Sequence, residues 1–80
     1  MVGEKKPLQI TLRAARQNAG LTQEQAGKLL GVKPQRLSKW ERNSANAPMW
    51  FVEKLEPVYG TPASNIFFGK ENEFISLNKK

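Results

Sequence analysis

The sequence predicts an all-α fold, a compact bundle of five short helices, and three observations carry that expectation. Apolar residues recur at helical spacing in short blocks, and helix-start signals precede several of the blocks. Gly20, Gly31, Gly60 and Gly69 then follow the blocks, where a left-handed terminal residue is needed. At 80 residues there is room for one domain with a small core, because a chain of this size buries only about 60% of its unfolded surface.

Residues 1–9 carry Lys5, Lys6 and Pro7 with little apolar content and read as a flexible arm. The first helix is expected over about residues 11 to 18, with Leu12, Ala15 and Ala19 on its apolar side and Gly20 closing it. Thr22 and Gln25 form a T-x-x-Q capping box that starts the second helix, in which the hydroxyl and the amide satisfy backbone donors left orphaned at a helix start. Ala26, Leu29 and Leu30 give it an apolar stripe, and Gly31 ends it. Gly27 sits inside this helix at a cost of roughly 0.5–1 kcal/mol against alanine, which implies close approach of the next helix.

Lys33 precedes Pro34 and is biased away from helical geometry, while the fixed φ of proline suits the first position of a third helix running to about Arg42. At about 100° per residue, Leu37, Trp40 and Glu41 fall on one side of it, Gln35, Lys39 and Arg42 on the other, with Arg36 and Ser38 flanking. Asn43 reads as a left-handed substitute for glycine, and residues 44–47 as a loop. A fourth helix is expected over residues 48–59, with Met49, Val52, Leu55 and Tyr59 spaced for burial and Pro57 forcing a kink or an early end near Leu55. A fifth opens at Thr61 or Pro62 and runs through Phe68, so that residues 10–69 make the folded domain. Residues 70–80 are polar except for Phe74, Ile75 and Leu77 and read as a loose tail or a short strand packing on a partner, the loose tail being the default.

Thirteen lysines and arginines against seven acids give a net charge of +6, which favours an anionic partner. Between Lys28 and Arg42 there are five bases and one acid, so most of the excess sits on the second and third helices. With no cysteine and no histidine, thiolate chemistry, a neutral-pH proton shuttle and an ordinary zinc site are excluded, and neither a metal nor another cofactor is expected. The acids are dispersed without any signature spacing, so no enzyme is expected. The apolar runs fall far short of the 18 or so residues of a membrane span and no secretion signal stands at the N-terminus, so the expected location is the cytoplasm, without membrane contact.

Residues 22–41 thus have the layout of a DNA-reading helix-turn-helix, two short helices joined by a glycine turn, the second studded with bases. Beyond the layout, Arg16 and Gly20, the run LTQEQ at 21–25, the turn Leu30, Gly31 and Val32, the run LSKWER at 37–42, and Val58, Tyr59 and Gly60 resemble the lambda-repressor and Cro-like (XRE) helix-turn-helix family. The similarity spans residues 12 to 68. It implies a transcription regulator, binding a pseudo-palindromic operator of double-stranded DNA as a homodimer with the third helix in the major groove. The expected protein is a regulator of the Cro or repressor type from a phage, prophage or mobile element. Lys33 in place of a serine or threonine cap, Pro34, Gly27, Asn43 and Pro57 depart from the family pattern.

Gln35 and Lys39, central on the exposed face, are the candidate base readers, because the resemblance puts base-contacting side chains there. Arg36 and Ser38 flank that face, and Arg36 can serve guanine or phosphate. Lys28 and Arg42 sit at element ends and are candidate phosphate contacts, and Lys33, just before the third helix, is a further candidate DNA contact. Gln23, at the amide-rich start of the second helix, resembles the family glutamine that touches phosphate. The resemblance also pairs Arg16 with Glu41 as a structural ion pair, and Trp40 reads as core.

Trp50 and Phe51 interrupt the Met49, Val52, Leu55 spacing and are expected to face partly outward. With Phe67 and Phe74 they are the candidate interface residues. These apolar groups support a rival reading, a protein-interaction module such as an antitoxin or immunity regulator with a protein partner. A second rival is the N-terminal DNA-binding part of a longer repressor.

Overall fold

The computed structural model describes residues 9–78. The arm expected over residues 1–9 lies, apart from Gln9, outside the described residues. Five α-helices form: α1 over Leu12–Asn18, α2 over Gln23–Leu30, α3 over Pro34–Arg42, α4 over Met49–Tyr59 and α5 over Glu71–Asn78. Single turns of 3-10 helix at Ser44–Asn46 and Ala63–Asn65 fill two of the connections.

The first two helices begin on threonine caps. Thr11 Oγ1 accepts from the Ala14 amide at 3.0 Å. The capping box is complete, with Thr22 Oγ1 accepting from the Gln25 amide at 3.1 Å and Gln25 Oε1 accepting from the Thr22 amide at 3.0 Å. Leu12, Ala15, Ala26, Leu30, Leu37, Phe51, Leu55, Tyr59 and Ile66 make one buried cluster that every one of the first four helices enters.

On α4 the buried stripe is Phe51, Leu55 and Tyr59, and Met49 is 67% exposed. The outward position expected for Phe51 is corrected by the helix geometry: at about 100° per residue Phe51 lies only about 40° from Leu55, whereas Met49 lies about 120° away. Leu29, expected in the stripe of α2, is likewise exposed, and Ala26 and Leu30 carry the packing. Pro57 does not bring α4 to an early end; the helix continues to Gly60 in the left-handed region at φ 77°. The missing amide would have reached the carbonyl of Glu53, and both residues face solvent, so no buried acceptor is orphaned.

The fifth helix does not form where expected. After the turn at Ala63–Asn65 the chain extends, and Ile66 pairs with Ile10: the Ile10 amide donates to the Asn65 carbonyl and the Phe67 amide to the Ile10 carbonyl, both at 2.9 Å. The β-favouring run Ile66, Phe67, Phe68 gains these bonds, and Ile66 enters the core at 1% exposure. The helix comes instead from the segment expected to be loose, as α5. Its first residues are tied down by Glu71, whose carboxylate accepts from Arg13 Nε at 2.9 Å and Nη2 at 3.2 Å, and by Phe74, whose ring centroid lies 5.1 Å from that of Phe67.

Candidate nucleic-acid interface

The turn between α2 and α3 is set by two glycines. Gly31 takes φ 79°, a left-handed conformation that side chains resist, and its amide donates to the Gly27 carbonyl at 2.8 Å. The Val32 amide donates to the same carbonyl at 2.9 Å. The turn therefore folds back over Gly27, where a Cβ would stand 2.6 Å from the Val32 carbonyl oxygen. The close approach expected at Gly27 is made first by the turn's backbone, with the nitrogen of Pro34, the first residue of the next helix, 3.7 Å from that Cβ position.

Helix α3 follows with Lys33 in extended geometry, Pro34 in the first turn and no side-chain cap. Leu37 and Glu41 are its buried residues; Gln35, Arg36, Lys39 and Arg42 are exposed, and Ser38 and Trp40 half-buried. Lys33, Gln35, Arg36 and Lys39 line one groove together with Trp40. On the other flank Gln23, Gln35, Ser38, Lys39 and Arg42 line a second, floored in part by Pro34. Seven of the eight candidate DNA-contacting side chains thus converge. Lys28 is exposed but lines neither groove, since it projects about 140° around α2 from Gln23.

Behind the exposed face lies a buried charge network. Arg16 Nε donates to Glu41 Oε2 at 2.6 Å and Nη2 to Oε1 at 3.3 Å, while Nη1 donates to the Leu21 carbonyl at 2.8 Å. Gln23 Nε2 donates to Glu41 Oε1 at 3.0 Å. Gln23, expected at a phosphate, therefore also braces α3 from the start of α2, and its Nε2 carries a second hydrogen to donate. Burial pushes the Tyr59 phenol well above its ordinary range, with the Glu41 charge acting in the same direction and Arg16 against it. Its hydroxyl is buried with no hydrogen-bond partner among the described residues.

Trp40 couples α3 to α4. Its ring lies 4.5 Å from Phe51 and 6.1 Å from Trp50, and the Arg36 guanidinium sits 5.7 Å over its face. Lys54 lies 5.5 Å over Trp50 and donates to the Leu30 carbonyl at 3.3 Å. Of the four candidate interface residues, Trp50 is 46% exposed, Phe51 is fully buried in this cluster, and Phe67 and Phe74 are half-buried against each other. Trp40 itself is only partly covered, so it is core on one side and groove wall on the other.

Sequence reasoning missed a second cluster, at the end of α3. Asn43 is extended at φ −152°, not left-handed, and its Oδ1 caps the 3-10 turn by accepting from the Ala45 amide at 3.1 Å. The Ser44 amide donates to the Gly69 carbonyl at 2.9 Å, and the Gly69 amide to Ser44 Oγ at 3.0 Å, so Gly69 serves a chain crossing rather than a helix end. Arg13, which the apolar spacing of α1 leaves unassigned, is held more firmly in its charged form by its hydrogen bonds to Glu71.

Among the described residues no helix is long and apolar enough to cross a membrane. A protein-family model described as helix-turn-helix matches residues 12–65. No curated protein matches the sequence.

Proposed function

Since the chain belongs to the lambda-repressor-like (XRE) helix-turn-helix family of DNA-binding transcription regulators, we propose that α3 enters the major groove of a specific operator, with Gln35 and Lys39 at base edges. The observation that carries this reading is the division of α3 itself. Leu37 and Glu41 are locked into the interior while Gln35, Arg36, Lys39 and Arg42 stand together outside.

Arg42 and Lys33, at the two ends of the helix, hold phosphate, and Gln23 adds its second Nε2 hydrogen as a donor; Lys28, which lines neither groove, is left to the outlying phosphate backbone. Arg36 is pre-ordered by Trp40 and can meet guanine or phosphate as a planar fork. One such helix covers only a half-site, so the protein acts as a homodimer on a pseudo-palindromic operator. It is a Cro or repressor-type regulator of a phage, prophage or mobile element, working in the cytoplasm.

Selection from a randomised duplex pool by the purified protein tests this. The expected product is an inverted repeat with half-site centres about 34 Å apart, one duplex turn. A pool that returns no common sequence, or a single half-site bound by a monomer in sedimentation, would count against it. A second reading, a regulator that also holds a protein partner, is favoured by the exposure of Met49 and Trp50 side by side at the start of α4.

A further inference from the structure

The C-terminal segment brings a second basic surface to the end of α3. Its path is fixed by a main-chain pairing and a side-chain brace: Asn43 and Lys70 form an antiparallel bridge, next to the bond from the Ser44 amide to the Gly69 carbonyl and the bond from the Gly69 amide to Ser44 Oγ. Lys70 is therefore held opposite the residue that follows Arg42, and this placement does not depend on its own side chain.

Arg13, Arg42, Lys70, Glu71 and Asn72 line one groove with Asn43. Arg42 is also a wall of the groove that holds Gln35, Ser38 and Lys39, so the two grooves meet at this residue. Three cations and one carboxylate face the new groove, and the carboxylate is not free to repel an anion, because both oxygens of Glu71 accept from Arg13. Arg42 and Lys70 remain exposed, with no side-chain partner among the described residues.

We propose that Lys70 and Arg42 together hold the phosphodiester backbone of duplex DNA beside the bases that α3 faces, with the Asn72 amide as a further donor. The DNA-binding surface then extends beyond the helix-turn-helix into residues 70–72. A compact ammonium and a guanidinium at the edge of the helix suit phosphate oxygens, which carry no sequence information but fix register. This inference rests on the DNA-binding reading, and its test uses a random duplex so that no operator need be known.

The 80-residue chain, its Lys70→Gln variant and its Lys54→Gln variant are compared on that duplex across a salt series. Lys70→Gln keeps the main-chain bridge, and an unchanged circular dichroism melt checks that it does. The expected result is weaker binding at low salt and a slope of log affinity against log salt flatter by about 0.9 per bound protomer, the increment per neutralised phosphate on duplex DNA. Lys54→Gln, on α4, leaves the slope unchanged. A wild-type slope for Lys70→Gln would overturn this inference alone, whereas a wild-type chain that binds no duplex at low salt would overturn the DNA-binding reading with it.

Discussion

Arg16 and Glu41, separated by 25 positions in the chain, meet at 2.6 Å in the interior with side chains only 9% and 0% exposed. One belongs to α1 and the other to α3, and Gln23 adds a third donor from α2. The rotation of α3 about its own axis, and hence the direction in which Gln35 and Lys39 point, is set by a charge on its hidden side.

Removing one member of a buried pair leaves the other uncompensated, at about 3–5 kcal/mol. Glu41→Gln strands the Arg16 guanidinium and is expected to lower the melting temperature by well over 10 °C, since about 1 kcal/mol shifts a domain of this size by 4–8 °C. The double variant Arg16→Met with Glu41→Leu removes both charges and should recover much of the stability. Equal melting of wild type and Glu41→Gln would show that the pair contributes nothing.

Tyr59 gives the domain an alkaline limit. Its pKa is raised in the folded state above the ordinary value of 10.0, chiefly by burial, so the folded protein binds the phenolic proton more tightly than the unfolded chain does. That contribution is fully present below pH about 10 and fades as the pH rises beyond it. Tyr59→Phe removes both the titration and a buried hydroxyl without a partner, so it should melt at or above the wild-type temperature at pH 7 and gain further on wild type above pH 10. If the difference between the two proteins stays constant from pH 7 to 11, Tyr59 does not titrate with unfolding.

At Gly27 two effects compete. Alanine is the better helix former by about 1 kcal/mol, but its Cβ would stand 2.6 Å from a backbone oxygen of the turn, which cannot rotate away as a side chain can. Overpacking of this kind costs about 1–3 kcal/mol, so Gly27→Ala is expected to be destabilising and to weaken DNA binding by displacing the start of α3. A melting temperature above wild type would mean that the turn yields freely.

Features decided by neighbours in the chain are readable from the residues alone. The Thr22 and Gln25 box, Gly31, and Pro34 at the head of α3 act within a few positions, and the structure places those helix ends there. Phe51 is readable too, since its angle to Leu55 on a helical wheel puts it inside; the alternative stripe through Met49 gives too much weight to a residue at the helix mouth. The rest depends on partners far away in the chain. Ile66 is extended because Ile10 pairs with it, and Glu71 starts a helix beside an arginine 58 positions earlier. No local pattern distinguishes Glu71 from Glu73, which is exposed.

The proposed division of labour on α3 can be separated by salt. Gln35 and Lys39 border both grooves, so each stands at the middle of the exposed face, while Arg42 stands where the helix ends. A side chain that reads a base edge favours operator over random duplex, and its removal should narrow that gap by about 1–3 kcal/mol per half-site. Gln35→Ala and Lys39→Ala are expected to do this. A side chain that holds phosphate binds every sequence alike, so Arg42→Ala should weaken operator and random DNA equally and flatten the salt slope by about 0.9 per bound protomer. Lys39 is the sharper test, because its charge permits either role. If Lys39→Ala lowers both affinities by the same factor and flattens the slope as Arg42→Ala does, it holds phosphate, and the reading of bases falls to Gln35 and Arg36.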